Sequence, residues 1–404
     1  MRRAIAFVAL FIAGAGCASA GSTPQPARVT VTAAARPAVV PAAITPPGGL
    51  PHVFLIVLEN ESYTNTYRHH PGRYIQSTLE KQGTLLSRYH AVGHFSLDNY
   101  LAMISGQAPN SYTSVDCLYP ANFNKTARPA KLNAAGQAVG TGCIFPKNVR
   151  TLANQLSKAK VSWHGFMEDM GKTPGREQKR CGRPTLAKSG YDQTQNATAA
   201  DQYAARHNPF VYFHSLINGG LCKRNVVPLS ALPAALANTS TTPHFSFITP
   251  DLCDDGHDSP CQGPDSVGSK AGGLVSANHF LSVWVPRIEQ SPAYKANGII
   301  IVTSDESTLS DASSCCGEKP GPGEAKPGLS GPGGGRIGTL VIGKCVRRGA
   351  VDPTAYNHYS LLRSLENVFH IKTGGSDGHG HLGYAGATGL RAFGKDLFRR
   401  CSPG

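Results

Sequence analysis

Val53-Phe54-Leu55-Ile56-Val57-Leu58-Glu59-Asn60 is an unbroken apolar run that stops abruptly at a carboxylate and an amide. Without polar alternation, such a run reads as a strand buried on both faces of a parallel sheet. Three later segments repeat the design: Phe245 to Thr249 before Pro250-Asp251, Gly298 to Thr303 before Asp305-Glu306, and Thr339 to Gly343. Between them, apolar residues recur at helical spacing over 74–82, 149–158, 277–291 and 358–369. Alternation of this kind predicts an α/β fold with a parallel sheet. Ligands of such sheets bind beyond the C-terminal strand ends. Glu59, Asn60, Asp251, Asp305 and Glu306 are therefore expected at one edge.

Gly93 to Gly106 (Gly-His-Phe-Ser-Leu-Asp-Asn-Tyr-Leu-Ala-Met-Ile-Ser-Gly) reads as a helix. Its apolar positions 97, 100, 101 and 104 follow i, i+3, i+4, i+7, and Gly106 suits the residue just past the end. Ser96 then falls at the N-cap. A hydroxyl there faces free N–H groups and the positive dipole end, an arrangement able to hold phosphate. Ser96 is thus a candidate nucleophile, or simply a cap.

The 404 residues, 40% hydrophobic, are enough for a large core and exclude wholesale disorder. Met1-Arg2-Arg3, an apolar run and a small-residue segment through Gly21 read as an export signal of residues 1–20. Ala18-Ser19-Ala20 suits one cleavage site, and Ala15-Gly16-Cys17 resembles a bacterial lipoprotein site, so the membrane is expected only through a lipid on Cys17. Residues 21–49, rich in Pro, Ala and Thr, read as a tether, and the folded domain is expected over 50–404. Eleven cysteines, an even number once Cys17 is set aside, fit disulfides in an oxidising compartment, either the cell envelope or the exterior. Short loops favour Cys117–Cys143 and Cys253–Cys261, whereas adjacent Cys315 and Cys316 are expected to bond different partners. The formal charge of +14 favours anionic partners. The scattered cations and the lack of a recognisable binding motif point away from nucleic acid and toward phosphorylated substrates.

Glu59, Asn60, Asp305 and Glu306 offer hard oxygens suited to a divalent cation, which would also favour the Ser96 alkoxide. The same acids also suit ordinary caps and turns. Asp254-Asp255-Gly256-His257-Asp258 brings His257 as a proton donor if its loop reaches that edge. His94 lies two residues before Ser96, and His358 begins a helix. His207, Glu168 and Asp169 are weaker candidates. A Gly- and Pro-rich stretch, 315–336, reads as a lid or a mobile loop. The lone G-x-S-x-G match, Gly374 to Gly378, follows no strand-like run and so is no nucleophile elbow, and H-E-x-x-H is absent, which disfavours an α/β-hydrolase esterase and a common zinc protease.

Together these segments resemble the bacterial phosphoesterase family of secreted acid phosphatases and phospholipases C, in the alkaline phosphatase-like superfamily. The likeness rests on six ordered blocks: Leu58 to Ser62, His94 to Gly106, Gly165 to Asp169, Asp255 to Asp258, Val302 to Glu306 and His358 to Leu362. It implies a three-layer α/β/α fold with a central, mostly parallel sheet. It further implies that Glu59, Asn60, Ser96, Asp305 and Glu306 bind a divalent metal ion. Ser96 would be phosphorylated, Asn99 would bind a phosphoryl oxygen, and His94, His257 and His358 would line the site. Phe95 and Asp98 stand where the family has prolines, and Ser304 where it has tryptophan, which bears on substrate preference. The expected activity is acid phosphatase-like hydrolysis of phosphomonoesters through a phosphoserine. The alternatives are phospholipase C action on a lipid substrate and a non-catalytic phosphate- or metal-binding surface lipoprotein.

Overall fold

In the computed structural model, which describes residues 49–69, 73–126, 128–394 and 397, β1 (His52–Leu58) lies near the centre of an eight-stranded sheet. The other strands are β2 (Gly83–His90), β3 (Trp163–Met167), β4 (Val226–Pro228), β5 (Phe245–Thr249), β6 (Gly298–Ser304), β7 (Thr339–Gly343) and β8 (Ala350–Asn357). Their spatial order is β4-β3-β5-β1-β6-β7-β2-β8. The export signal, Cys17 and the Pro/Ala/Thr-rich stretch to residue 48 lie outside the described residues.

Side chains of β1 alternate between two cores, which is why the run is apolar throughout. Val53, Leu55 and Val57 pack with residues of α1 (Ser96–Ser105), α2 (Leu152–Lys158) and α4 (His358–Val368). Phe54, Ile56 and Leu58 pack with Ala277, Phe280, Leu281, Trp284, Val285 and Ile288 of α3 (Gly273–Gln290). The expected three layers therefore form, with β1 between both helical layers. Thr151 and Asn154 make a capping box at α2, and Asn357 caps α4 by accepting from Ser360 N–H at 2.9 Å.

Two expectations require correction. Thr339–Gly343 does form a strand, but β7 runs antiparallel to both β6 and β2. The segment joining β6 to β7 forms no helix among its residues, so the chain turns back at the strand ends where a parallel return would need a crossover. That segment is pinned rather than loose: Ser307 N–H donates to Gly334 O at 2.9 Å, and Gly333 and Gly335 N–H donate to Ala312 O and Ser313 O at 3.0 Å each. Gly334 lies so close to the Gly93 carbonyl that a Cβ there would come within 1.9 Å of the oxygen. The second correction concerns Cys315 and Cys316, which bond to each other. Glu318 accepts from Cys316 N–H at 2.9 Å and holds the local turn that turns the adjacent sulfurs together. Cys117–Cys143 and Cys253–Cys261 pair as expected, Cys181–Cys222 is a further bridge, and Cys345 is also disulfide-bonded.

Cys181–Cys222 spans 41 positions, so removing it restores considerable freedom to the unfolded chain. The paired Cys181→Ser and Cys222→Ser variant should lose roughly 4 kcal/mol of unfolding free energy, measured by urea denaturation. Glu177 gives a pH signature: burial raises its carboxyl from 4.5 to about 7, although Gly171 N–H donates to it at 2.6 Å. The folded state then holds a proton that the unfolded state releases, so this contribution to stability falls as pH rises from 4.5 to about 7. Glu177→Gln, which mimics the protonated acid, should show a smaller drop in Tm across that window than the parent protein.

Candidate active site at the strand ends

β1 and β6 are paired through Leu58↔Ser304, so the residues that follow them, Glu59 and Asp305, emerge side by side. Asp305 N–H donates to Leu58 O at 2.9 Å, and Glu59 N–H donates to Asp255 O at 2.8 Å, which fastens the β5 loop to the same edge. Asn60 adopts φ 56°, a left-handed turn that asparagine tolerates. Its N–H donates to Asp305 Oδ1 at 3.1 Å and its Nδ2 to Glu59 Oε2 at 3.3 Å. Glu306 N–H also donates to Asp305 Oδ1, at 2.6 Å.

Ser96 meets this group directly. Its Oγ donates to Glu59 Oε2 at 2.8 Å, and the side chain is buried. Ser96 is the first residue of α1 rather than its N-cap: Phe95, at φ 73°, occupies the capping position without a side-chain bond. The helix N–H groups are served by Asp116, whose Oδ1 accepts from Leu97 N–H at 3.0 Å. A carboxylate thus already takes the place expected for phosphate, as the helix dipole favours. The serine hydroxyl is thereby left free to face Glu59.

Asn99 departs from its expected role. Oδ1 accepts from Val92 and Gly93 N–H at 2.9 and 3.3 Å, while Nδ2 donates to Gly93 O and Phe95 O at 2.9 and 3.2 Å. Every hydrogen-bonding position of this buried amide holds the turn before Ser96, leaving none for a phosphoryl oxygen. His358 likewise grips the frame. Nε2 donates to Asp305 O at 2.5 Å and Nδ1 accepts from the Tyr89 hydroxyl at 3.1 Å. Burial lowers its pKa to about 4, so the ring is neutral. His94 sits between the Glu306 carboxyl, in very short contact, and the Asp311 carbonyl, to which Nε2 donates at 3.0 Å. Glu306 is therefore engaged by His94, whereas Asp305 faces Glu59.

His257 is the most accessible of these imidazoles, with one third of its side chain exposed. Nδ1 donates to Asp258 at 2.8 Å, and Nε2 accepts from Arg206 at 3.1 Å. Arg206 also approaches Asp116 at 3.8 Å and donates to Gln195 O at 2.6 Å. It was not singled out from the sequence, although clustered acids at one edge call for a nearby cation. His207, rated weak, lies at the centre: Nδ1 donates to Asp255 Oδ2 at 2.9 Å, and Nε2 is 3.0 Å from Glu59 Oε1. Glu168 lies instead with Asp251 and Asp254 in a separate acidic group, and Asp169 pairs with Lys172 at 3.0 Å.

The carboxyls of Glu59, Asp305, Glu306 and Asp255 are all raised, chiefly by burial, and the charges of their acidic neighbours raise them further. Asp98, also buried and raised, has no hydrogen-bond partner on either oxygen. Glu59 Oε1 and Asp305 Oδ2 are buried without a hydrogen-bond partner as well. Unpaired buried carboxylate oxygens at such cost are what a bound cation would satisfy, so the residues present fit a divalent metal.

The chain is 22% identical to an acid phosphatase of Aspergillus fumigatus over 315 residues, 77% of this chain and 53% of that protein. It is also 22% identical to a probable acid phosphatase of Kluyveromyces lactis, covering 78% of this chain and 56% of the relative. The chain thus spans about half the length of the curated relatives it matches. Among solved structures, a protein in the alkaline phosphatase superfamily from Vibrio parahaemolyticus aligns with a TM-score of 0.43 at 12% identity, covering 81% of this chain and 68% of its own. The family model described as the Phosphoesterase family matches residues 66–372, and the chain belongs to that family.

Proposed function

We propose that the chain is a metal-dependent phosphomonoesterase of acid phosphatase type, exported from the cell, that works through a phosphoserine at Ser96. The observation that carries this reading is the Ser96 hydroxyl donating to Glu59 at 2.8 Å, at an edge where Asp305 and Glu59 each keep a buried oxygen unpaired. The fungal acid phosphatases matched above support the choice of substrate class. The bridges Cys117–Cys143, Cys181–Cys222 and Cys253–Cys261 support an oxidising compartment. Retention by a lipid on Cys17 remains part of the proposal.

Glu59, Asn60, Ser96 and Asp305 would hold the divalent cation, with Glu306 behind them. When bound, it supplies a positive charge that stabilises anionic oxygens and favours the serine alkoxide. Ser96 Oγ gives its proton to Glu59 Oε2 and forms the new bond to phosphorus as the ester P–O bond breaks. Arg206 turns its guanidinium from His257 to the phosphoryl oxygens, and His257, protonated on the Nε2 so freed while Nδ1–H stays with Asp258, hands that proton to the departing alcohol. Water then hydrolyses the phosphoserine, returning Ser96 and releasing phosphate. Asn99, His358 and His94 act by fixing the turn, the Asp305 backbone and Glu306.

Purified protein should hydrolyse p-nitrophenyl phosphate, and Ser96→Ala should lower kcat by about 10³-fold or more with fold unchanged by circular dichroism. A variant that keeps full activity overturns the nucleophile assignment. Chelation should abolish turnover and lower Tm, with both restored by a divalent cation. Turnover that survives exhaustive chelation overturns the metal dependence.

A further inference from the structure

His207 is buried against the face of Tyr100, with ring centroids 5.2 Å apart and planes 2° from parallel. Its Nδ1–H is committed to Asp255 Oδ2, so in the neutral ring Nε2 carries a lone pair. That nitrogen lies 3.0 Å from Glu59 Oε1, yet neither atom has a hydrogen-bond partner, and both are inaccessible to solvent. Asp255 cannot relieve the pair, because Oδ2 holds His207 and Oδ1 accepts from His257 N–H at 2.8 Å. Two buried acceptors facing each other require something positive between or beside them.

We propose that His207 Nε2 is a metal ligand alongside Glu59 Oε1, with Asp255 orienting the ring from behind, and that this nitrogen tunes the centre to a borderline transition-metal ion of the zinc, cobalt or iron kind. A carboxylate–histidine pair with the second ring nitrogen turned inward is the usual way proteins fix a ligating imidazole. The ligand atoms of Glu59, His207 and Asp255 lie within 4.8 Å of one another. The acidic residues read from the sequence offer only oxygen, which suits Mg²⁺ or Ca²⁺ equally well; an imidazole shifts the preference toward metals that accept nitrogen. The inference rests on the phosphoesterase reading only in that both use the carboxylate of Glu59.

The test is equilibrium dialysis of metal-stripped full-length protein against Zn²⁺ and Mg²⁺, with bound metal measured by elemental analysis. The parent protein should prefer Zn²⁺ by about 10²-fold or more. His207→Gln should weaken Zn²⁺ binding by at least about 10²-fold while changing Mg²⁺ binding less than about twofold, and Asp255→Asn should weaken Zn²⁺ by about 10- to 100-fold. Unchanged Zn²⁺ affinity in His207→Gln, or no preference in the parent protein, overturns the proposal. Should the variants fail to fold, proton NMR of the Co²⁺-loaded parent protein decides. A paramagnetically shifted, exchangeable imidazole N–H supports histidine ligation, and its absence overturns it. Zn²⁺ binding without hydrolysis of any phosphoester would sink the phosphoesterase reading and leave the ligand assignment standing. Hydrolysis with no metal preference would do the reverse.

Discussion

Negative charge buried at the end of β1 and β6 is the constraint on which the rest of the structure depends. Glu59 and Asp305 are placed side by side by strand register, and Asp255 and Glu306 crowd them from the flanking loops. Left alone, carboxylates in such a setting would take up protons or open the fold to water. What surrounds them is a set of donors to one side of each group: Asn60 and Glu306 N–H on Asp305, Ser96 on Glu59, His207 on Asp255. The other side of Glu59 and of Asp305 is left bare. The fold thus holds these acids in a half-satisfied state, and the parallel pairing of β1 with β6 is what keeps them from separating.

The residues around the centre divide into those that face it and those that hold what faces it. Asn99 spends all its bonds on the turn that delivers Ser96, and His358 clamps the backbone of Asp305 from beneath. Asp116 ends the helix, so the hydroxyl of Ser96 is not consumed in capping. Loss of any of these would act through geometry, at a distance from the reacting atoms.

The fold was legible where burial leaves a one-dimensional trace. β1, β5 and β6 are covered on both faces, so their apolar runs stand out, and the strand-end acids follow from where the runs stop. β8 and β4 leave no such trace: Ala350–Asn357 is broken by Asp352, Pro353 and Thr354 and partly exposed, and Val226–Pro228 is only three residues long. The direction of β7 depends on how the segment before it folds, which a local pattern does not carry. The same limit applies within the site. Ser96 reads as a cap because the carboxylate that replaces it comes from Asp116, across a disulfide-tied loop. His207 reads as weak because its partners, Glu59 and Asp255, are distant in sequence and meet only through the sheet. Family likeness pointed to Asn99 and His358 by position, but which way each side chain turns is set by its contacts, with Val92, Gly93 and Phe95 for the one and with Tyr89 and the Asp305 backbone for the other.

The antiparallel return of β7 has a further consequence. Both ends of the segment between β6 and β7 are rooted at the same edge, next to Asp305 and opposite the turn of Gly93, and no helix of the outer layers is threaded through it. Its length can change without altering strand order, while Gly334, Asp311 and Ile337 stay tied to Gly93, to His94 and to the core. The acids and the serine are tied to the sheet itself, while the wall beside them on that side is a hairpin-like excursion held at its two roots.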